Sequence, residues 1–181
     1  YLAAAQGGGR AMSFKRHWLA LLLLLLGFSV QAESVKEGQL APALNLPLLG
    51  ARADESMSLE ALRGKVVYLD FWASWCGPCR LSFPQLEALR QELGPRGFEV
   101  LAVNVDEFED DALAFLDAIP VTYPVVRDAD ADSPARYGIL GMPTGFLLDR
   151  EGVVKRVHQG YRRSDGEKLR KEIVQLLEST E

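Results

Sequence analysis

Apolar side chains follow two different periods on either side of Trp75, and each period predicts one element. Residues 65–72 are almost continuously apolar, as in a strand that is buried on both faces of a sheet. Over residues 79–93 the leucines recur at helical spacing, and Gly94 ends the pattern. We therefore predict a strand followed directly by a helix, with a kink at Pro84, which removes one backbone hydrogen bond.

The rest of the chain alternates between shorter apolar runs and helical stripes. Before the first strand, residues 43–46 predict an edge strand or hairpin arm, and residues 58–64 predict one helical turn. The later elements are a strand over 98–105, a helix over 110–119, a short strand over 124–127, an acidic turn over 128–132, a hairpin of strands over 144–149 and 153–159, and a last helix from the N-cap Ser164 to Leu177. This order predicts an α/β fold with a mixed central sheet and helices on both faces.

The first 32 residues have the pattern of an export signal rather than of a folded domain. A basic segment after Met12 precedes an apolar stretch of 13 residues over 18–30, and Ala32 offers a small residue for cleavage. That stretch is shorter than the roughly 20 residues that a helix needs to span a bilayer. We expect 1–11 to be an upstream or non-native extension, 12–32 to be a signal peptide and 33–181 to be the folded domain. A signal that is not cleaved would serve as an N-terminal membrane anchor.

Charge excludes one class of partner. The 181 residues are 48% hydrophobic and 25% charged, which is ordinary for one folded domain. Removal of the first 32 residues takes away three of the 20 basic side chains and no acidic ones, so 17 basic residues face 25 acidic ones at a net charge of −8. A surface of this sign repels phosphate backbones and argues against nucleic-acid binding.

The two cysteines of the chain lie where the predicted strand gives way to the predicted helix. Cys76 should therefore sit at the helix N-terminus, where unpaired N–H groups and the helix dipole favour the thiolate, and Cys79 one turn later should be the resolving thiol. Gly77 permits a tight approach, and Pro78 suits a first helical turn. A zinc site would need two more ligands, and only His158 is available after the signal segment. A structural disulfide across two residues would add little stability, although this alternative stays open.

The residues around these cysteines resemble a known family. Residues 70–80, read as Asp-Phe-Trp-Ala-Ser-Trp-Cys-Gly-Pro-Cys-Arg, look like the active-site segment of thioredoxins. Residues 137–152 resemble the second half of TlpA/ResA-type extracytoplasmic thiol–disulfide oxidoreductases. The resemblance covers nearly all of residues 38–178. It implies a thioredoxin fold with an N-terminal extension, a periplasmic or other extracytoplasmic location, and no cofactor.

The same resemblance implies roles for individual residues. Pro143 matches a cis-proline that faces the redox-active pair, and the Met142 backbone beside it would pair with a bound substrate. Asp70 would act as a general base toward Cys79, because a carboxyl in an apolar strand should have a raised pKa. Many relatives of the TlpA/ResA branch differ in carrying asparagine at the position of Asp70 and an acid at that of Ser82. The residues that the resemblance places against the substrate are Trp75, as an apolar lid, together with Gly77, Pro78, Met142, Pro143 and Thr144.

Taken together, the residues predict reduction of protein disulfides by the Cys76/Cys79 pair. A membrane thiol-transfer protein would return the electrons, and the resemblance implies clients such as apocytochrome c, as in cytochrome c maturation. Within the class, a disulfide oxidase or isomerase is the alternative, against which the Gly77-Pro78 dipeptide argues. Outside it, the two thiols could hold Cu(I) in a metallochaperone, with Met142 as a third ligand. Peroxide reduction is disfavoured by the residues before Cys76, and the acidic run 106–111 is expected to be a solvated helix start.

Overall fold

A computed structural model describes residues 34–52 and 54–179 of the chain. Its centre is a five-stranded sheet in the order β5-β4-β3-β6-β7. The strands are β1 Asn45–Pro47, β2 Ser56–Ser58, β3 Val66–Trp72, β4 Phe98–Asn104, β5 Val125–Arg127, β6 Thr144–Leu148 and β7 Val154–Gln159, and the helices are α1 Cys79–Leu93, α2 Glu109–Ala118, α3 Asp132–Tyr137 and α4 Asp165–Glu178. Strands β3, β4 and β5 run parallel, whereas β6 and β7 are antiparallel to their neighbours. The mixed central sheet expected from the sequence is confirmed.

Strand β3 is buried along its whole length because both faces of the sheet are covered. Side chains alternate between the faces of a strand. Tyr68 and Trp72 therefore join the core beneath α1, α2 and α4. Leu69 and Phe71 point the other way, into a second core that the lead-in segment 35–62 and Tyr137 of α3 complete.

The lead-in segment folds back on itself before the central sheet begins. The predicted arm is β1, which pairs antiparallel with β2 in a register that sets Leu46 opposite Met57. A short 3₁₀ turn follows at Glu60–Leu62, and the Ser58 hydroxyl accepts a hydrogen bond from the Ala61 N–H at 3.1 Å. Strand β2 was not predicted because three residues of alternating polarity carry too little pattern.

Two further expectations are met only in part. The acidic turn is present, because the Ala131 N–H donates to the Asp128 carbonyl oxygen at 3.1 Å, but its last residue, Asp132, already begins α3. The Asp128 carboxylate accepts hydrogen bonds from the Ser133 N–H, at 2.7 Å, and from the Ser133 hydroxyl. Ser164 stands at the N-cap of α4, but its side chain caps no N–H group among the described residues. Its hydroxyl instead lies 3.3 Å from the Asp165 carboxylate.

The expected extension and signal segment, residues 1–32, lie outside the described residues. Within 34–52 and 54–179, no helix has both the length and the apolar character needed to cross a membrane.

Candidate active site

The two cysteines lie at the carboxyl edge of the sheet, between the end of β3 and the start of α1. Cys76 belongs to the connecting loop, and Cys79 is the first residue of the helix. Their sulfur atoms form a disulfide, with 5.3 Å between the Cα atoms. Cys79 is fully buried, whereas Cys76 keeps 3% of its surface exposed. Both residues are thus buried, and Cys76 is the more accessible of the two.

Local backbone geometry favours negative charge on the Cys76 sulfur. Pro78 holds helical dihedral angles at the N-cap, and the chain turns into α1 directly after it. The Cys79 N–H points back and donates to the Cys76 Sγ at 3.2 Å. An N–H donor and the positive end of a helix dipole stabilise a thiolate more than a thiol, so the reduced Cys76 is suited to nucleophilic attack.

A buried carboxylate holds the loop that carries Cys76. Asp106, two residues after β4, accepts hydrogen bonds from the Ser74 N–H at 2.8 Å and from the Ser74 hydroxyl at 2.9 Å. The Asn104 side-chain amide donates to the same carboxylate at 2.7 Å and accepts from the Asp106 N–H at 3.1 Å. Because Ser74 lies only two residues before Cys76, this network fixes the start of the reactive loop.

The acidic run 106–111 is thus not solvated throughout, as the sequence led us to expect. Glu107, Asp110 and Asp111 are exposed, but Asp106 is buried. The signal that could have separated it is its position directly behind the carboxyl end of a buried strand, next to Asn104. Among the described residues, no group of three His, Cys, Asp or Glu side chains is arranged to hold a metal ion.

A cis peptide bond joins Met142 to Pro143 at the entrance to β6. Pro143 is buried, and its carbonyl oxygen accepts a hydrogen bond from the Gly160 N–H at 2.8 Å. The next residue, Thr144, pairs with Phe71 of β3. The Met142 side chain is half-buried and packs against the core cluster that includes both cysteines. The sheet register therefore brings the cis-proline segment to the same end of the molecule as the disulfide.

Asp70 is the buried acid of β3, with 1% of its surface exposed. Strand alternation places its carboxyl on the face of Tyr68 and Trp72, beneath α1, where the cluster with Cys76 and Cys79 also lies. Its Oδ2 atom has no hydrogen-bond partner in the described part of the chain. Burial in these apolar surroundings raises the pKa of the Asp70 carboxyl from its ordinary 3.8 to about 8.

Apolar side chains around the reactive loop remain open to solvent. Trp75 is 71% exposed and Gly77 and Pro78 are also exposed beside Cys76. Leu140, close to the cis-proline in sequence, is 93% exposed. The sequence analysis did not select Leu140, since a single leucine in a loop carries no periodic signal.

The contacts of Trp72 are those of a core side chain. Its side chain is fully buried, and its ring packs against Phe83 and Phe115, with 4.7 Å between ring centroids in each case. Its indole Nε1 has no partner among the described side chains and backbone groups. Trp72 thus belongs to the core cluster that contains both cysteines, whereas the Trp75 side chain is exposed to solvent.

Comparison with known proteins identifies relatives over most of this chain. The sequence profile of the redoxin family matches residues 36–173. The thioredoxin-like protein YneN from Bacillus subtilis is 35% identical over 159 residues, which cover 80% of this chain and 91% of YneN. The thiol-disulfide oxidoreductase ResA from the same organism is 34% identical over 148 residues, which cover 78% of this chain and 81% of ResA.

A solved structure is similar to the same extent. The crystal structure of a protein from Chlorobium tepidum, assigned as the thiol:disulfide interchange protein DsbE, superimposes with a TM-score of 0.75 and 42% sequence identity. The superposition covers 80% of this chain and 99% of that one. The sheet topology, the Cys76–Cys79 disulfide and the similar proteins therefore indicate the same fold and the same class of redox site.

Proposed function

This chain belongs to the redoxin family and is a thiol–disulfide oxidoreductase, and we propose that it reduces disulfide bonds in other exported proteins. The observation that carries the proposal is the Cys76–Cys79 disulfide at the N-terminus of α1. One sulfur is reachable and lies under a backbone donor, whereas the other is buried one turn behind it. This arrangement suits Cys76 to be the attacking thiol and Cys79 to be the resolving thiol.

The reaction begins with both cysteines reduced. The Cys76 thiolate attacks one sulfur of the client disulfide, forms a mixed disulfide and releases the other client sulfur as a thiolate, which takes a proton from water. Cys79 then loses its proton and attacks the Cys76 sulfur. The Cys76–Cys79 disulfide forms, and the second client sulfur leaves as a thiolate, which takes a proton from water. Two electrons pass from this chain to the client, so a further dithiol must reduce the pair again.

Asp70 is suited to accept the Cys79 proton, directly or through one water molecule. Its carboxyl lies on the face of β3 that meets α1, and a pKa of about 8 sets its affinity for a proton near that of a thiol. A general base works best when its pKa is close to the operating pH. The burial of this acid in an apolar strand is otherwise a cost to folding without a benefit.

The exposed surface around Cys76 is suited to an extended client segment. Trp75, Gly77 and Pro78 would contact its side chains, and the backbone at Met142, before the cis bond to Pro143, would pair with its backbone. Thr144 holds this loop, because its hydroxyl donates to the Gly141 carbonyl oxygen at 2.6 Å. Specificity would then come from side chains at the rim rather than from a deep pocket.

The location and partners follow from the same proposal. The expected signal segment would export the chain to the periplasm or an equivalent space, where an oxidising environment would hold the pair as a disulfide. A membrane thiol-transfer protein would supply the dithiol that reduces it. Apocytochrome c, which must keep its cysteines reduced for haem attachment, is one fitting client.

The test is the reduction potential of the Cys76–Cys79 pair, measured by tryptophan fluorescence in buffers of defined dithiol to disulfide ratio. We expect a value near the roughly −270 mV of a reducing thioredoxin. A value near the about −120 mV of strong oxidants would contradict the proposed direction and make the chain a disulfide donor. A Cys76→Ser variant is the control, because it removes the couple and leaves the fold intact.

A second candidate function is supported by one observation. The half-buried Met142 side chain packs against the cluster that contains both cysteines, where a thioether would complete a Cu(I) site with two thiolates. Titration of the reduced protein with Cu(I) and a competing chelator tests this reading, with Met142→Leu as the matched variant. Tight binding that Met142→Leu weakens would favour a copper carrier. Binding no tighter than that of an unrelated dithiol would exclude it.

A further inference from the structure

The Asp70 carboxyl needs a way to exchange its proton with solvent during each cycle. It is nearly fully buried, and its Oδ2 atom has no partner among the described residues. On the cysteine side, a client bound at Cys76 would cover the loop. A second route by which Asp70 exchanges its proton with solvent would therefore serve the reaction.

Tyr68 lies on the same face of β3 as Asp70, two residues earlier. Its own neighbour on β6 is Leu147, whereas Gly145 is the residue opposite Asp70. A Cβ atom added to Gly145 would lie 2.0 Å from the Tyr68 hydroxyl oxygen. The Tyr68 side chain thus leans along the sheet, and its hydroxyl rests on the Gly145 backbone at the level of Asp70. Only glycine at this position leaves room for it.

The Tyr68 side chain also borders a cavity whose lining includes neither cysteine. The cavity has a volume of about 230 Å³ and lies between β7 and α4. His158, Tyr161, Asp165 and Lys168 contribute polar groups to its lining. Tyr68 therefore stands between the buried carboxyl and a space of the size and polarity that water occupies.

The groups around Tyr68 keep its hydroxyl neutral. Burial, and then the nearby charge of Asp70, raise the pKa of Tyr68 well above its ordinary value, and Asp165 and Glu172 of α4 act in the same direction. At the rim of the cavity, His158 of β7 lies 2.9 Å from the Glu172 carboxylate, and Lys168 of α4 adds a positive charge. A neutral hydroxyl can donate to a carboxylate and pass a proton on without carrying charge itself.

Three further groups lie on this side of the sheet. The Tyr161 hydroxyl donates to Gln85 of α1 at 2.9 Å, so it is already engaged. Tyr123, before β5, is buried and finds no hydroxyl partner within the described residues, but it does not line the cavity. Glu87 of α1 is held by Thr122, whose N–H donates to it at 2.8 Å. Of the tyrosines that face Asp70, Tyr68 alone combines a place at its level with a place on the cavity wall.

We propose that Tyr68 is a positioning residue for the exchange reaction, whose hydroxyl links the Asp70 carboxyl to this cavity. The proton that Asp70 takes from Cys79 then passes through the Tyr68 hydroxyl to water on the β7–α4 side while a client covers Cys76. No electrons move in this step, and the hydroxyl gives up one proton as it accepts another. The inference rests on the proposed function, since it assigns a proton path to that reaction.

The test separates the two thiol steps with dithiobis(nitrobenzoic acid) as the disulfide. Attack by Cys76 on the reduced protein releases one coloured thiolate, and attack by Cys79 releases the second, so stopped-flow absorbance reports each step. Tyr68→Phe removes the hydroxyl that lies at the level of Asp70, and with it the proposed link between the Asp70 carboxyl and the cavity, so the carboxylate should become less stable. We expect the pH midpoint of the second release to rise by about half a unit or more, with the first release unchanged.

Gly145→Ala should act in the same direction with Tyr68 still present, because the new Cβ would lie 2.0 Å from the hydroxyl oxygen and 2.2 Å from Cζ, so the end of the ring and its hydroxyl must move. The matched control is Tyr137→Phe, which removes a buried hydroxyl from the opposite face of the sheet, where it donates to the Pro42 carbonyl oxygen. We expect this control to keep the wild-type midpoint. If Tyr68→Phe does not fold, Gly145→Ala decides the question.

Wild-type midpoints in both Tyr68→Phe and Gly145→Ala would overturn the inference. Failure of the proposed function would look different. In that case the wild-type protein would show no second release, or Asp70→Asn would leave its pH dependence unchanged. A change in Asp70→Asn without a change in Tyr68→Phe would retain Asp70 as the base and remove Tyr68 from the path.

Discussion

Replacement of Asp70 by asparagine should stabilise the protein and remove a specific part of its pH dependence. The buried carboxyl has a pKa of about 8, whereas the same group in the unfolded chain has its ordinary value of 3.8. Between these values the unfolded chain has lost the proton that the folded protein keeps. Stability therefore falls as the pH rises through this window, is unaffected by Asp70 below it, and reaches its lowest level above it.

The magnitude follows from the size of the shift. Each unit of pKa difference corresponds to about 1.4 kcal/mol. At about pH 7 the free energy of unfolding is therefore roughly 4 kcal/mol lower than it would be with a side chain that stays neutral in both states. Asparagine has nearly the same shape and does not titrate, but its amide is buried without a partner as the protonated acid is. We expect Asp70→Asn to be more stable than wild type by about 2–4 kcal/mol at that pH.

The assay is urea unfolding of the oxidised protein at several pH values from about 5 to about 8, followed by fluorescence. All other titrating groups are shared, so the difference between the two proteins isolates Asp70. Asp117→Asn is the control, because Asp117 is exposed on α2 and should leave the pH dependence unchanged. Parallel stability curves for wild type and Asp70→Asn would refute the raised pKa and, with it, the reason for choosing Asp70 as the base.

Three further outcomes follow from the site. Cys79→Ser should stop the reaction after the first thiolate release and accumulate a mixed disulfide at Cys76, which mass spectrometry detects. A complete reaction in this variant would contradict the assignment of Cys79 as the resolving thiol. Asp106→Asn should weaken the hydrogen bonds to Ser74 and lower the free energy of unfolding by about 1–3 kcal/mol, with faster amide exchange at Ser74 as the local readout. Trp75→Ala should change stability by no more than about 0.5 kcal/mol, because the side chain is exposed, but should raise KM for a protein client and leave the rate with a small disulfide unchanged.

The sequence was sufficient for the elements whose pattern is long and regular. Strand β3 and helix α1 were predicted within one residue of their ends, because a continuous apolar run and a leucine stripe reflect burial directly. The antiparallel pairing of β6 with β7 was equally accessible from the glycine turn between them. The expected kink at Pro84 stays a prediction, although α1 continues past this residue.

Long-range polar contacts could not be predicted in the same way. Asp106 belongs to an acidic run that looks solvated in the sequence. Its carboxylate binds Ser74 only because the folded sheet brings the end of β4 next to the reactive loop. The turn expected at 128–132 is present, but the sequence did not mark the short helix α3 that follows it, where the Asp128 carboxylate accepts a hydrogen bond from the Ser133 N–H. The cavity beside Tyr68 likewise arises from how α4 packs against β7, which no local pattern encodes.

The surroundings of Cys76 and Asp70 favour opposite protonation states, and under the proposed function this contrast gives the costly burial of Asp70 a role. At Cys76 the backbone N–H of Cys79 and the helix dipole favour the charged form of the attacking sulfur. At Asp70 the apolar surroundings favour the neutral form, so the carboxyl binds a proton about as strongly as a thiol does. An apolar residue in place of Asp70 would make a more stable strand, but in the proposed reaction it would leave the buried Cys79 without a group to take its proton. Under that proposal, the energetic penalty in β3 lies where the second half of the exchange reaction needs a base.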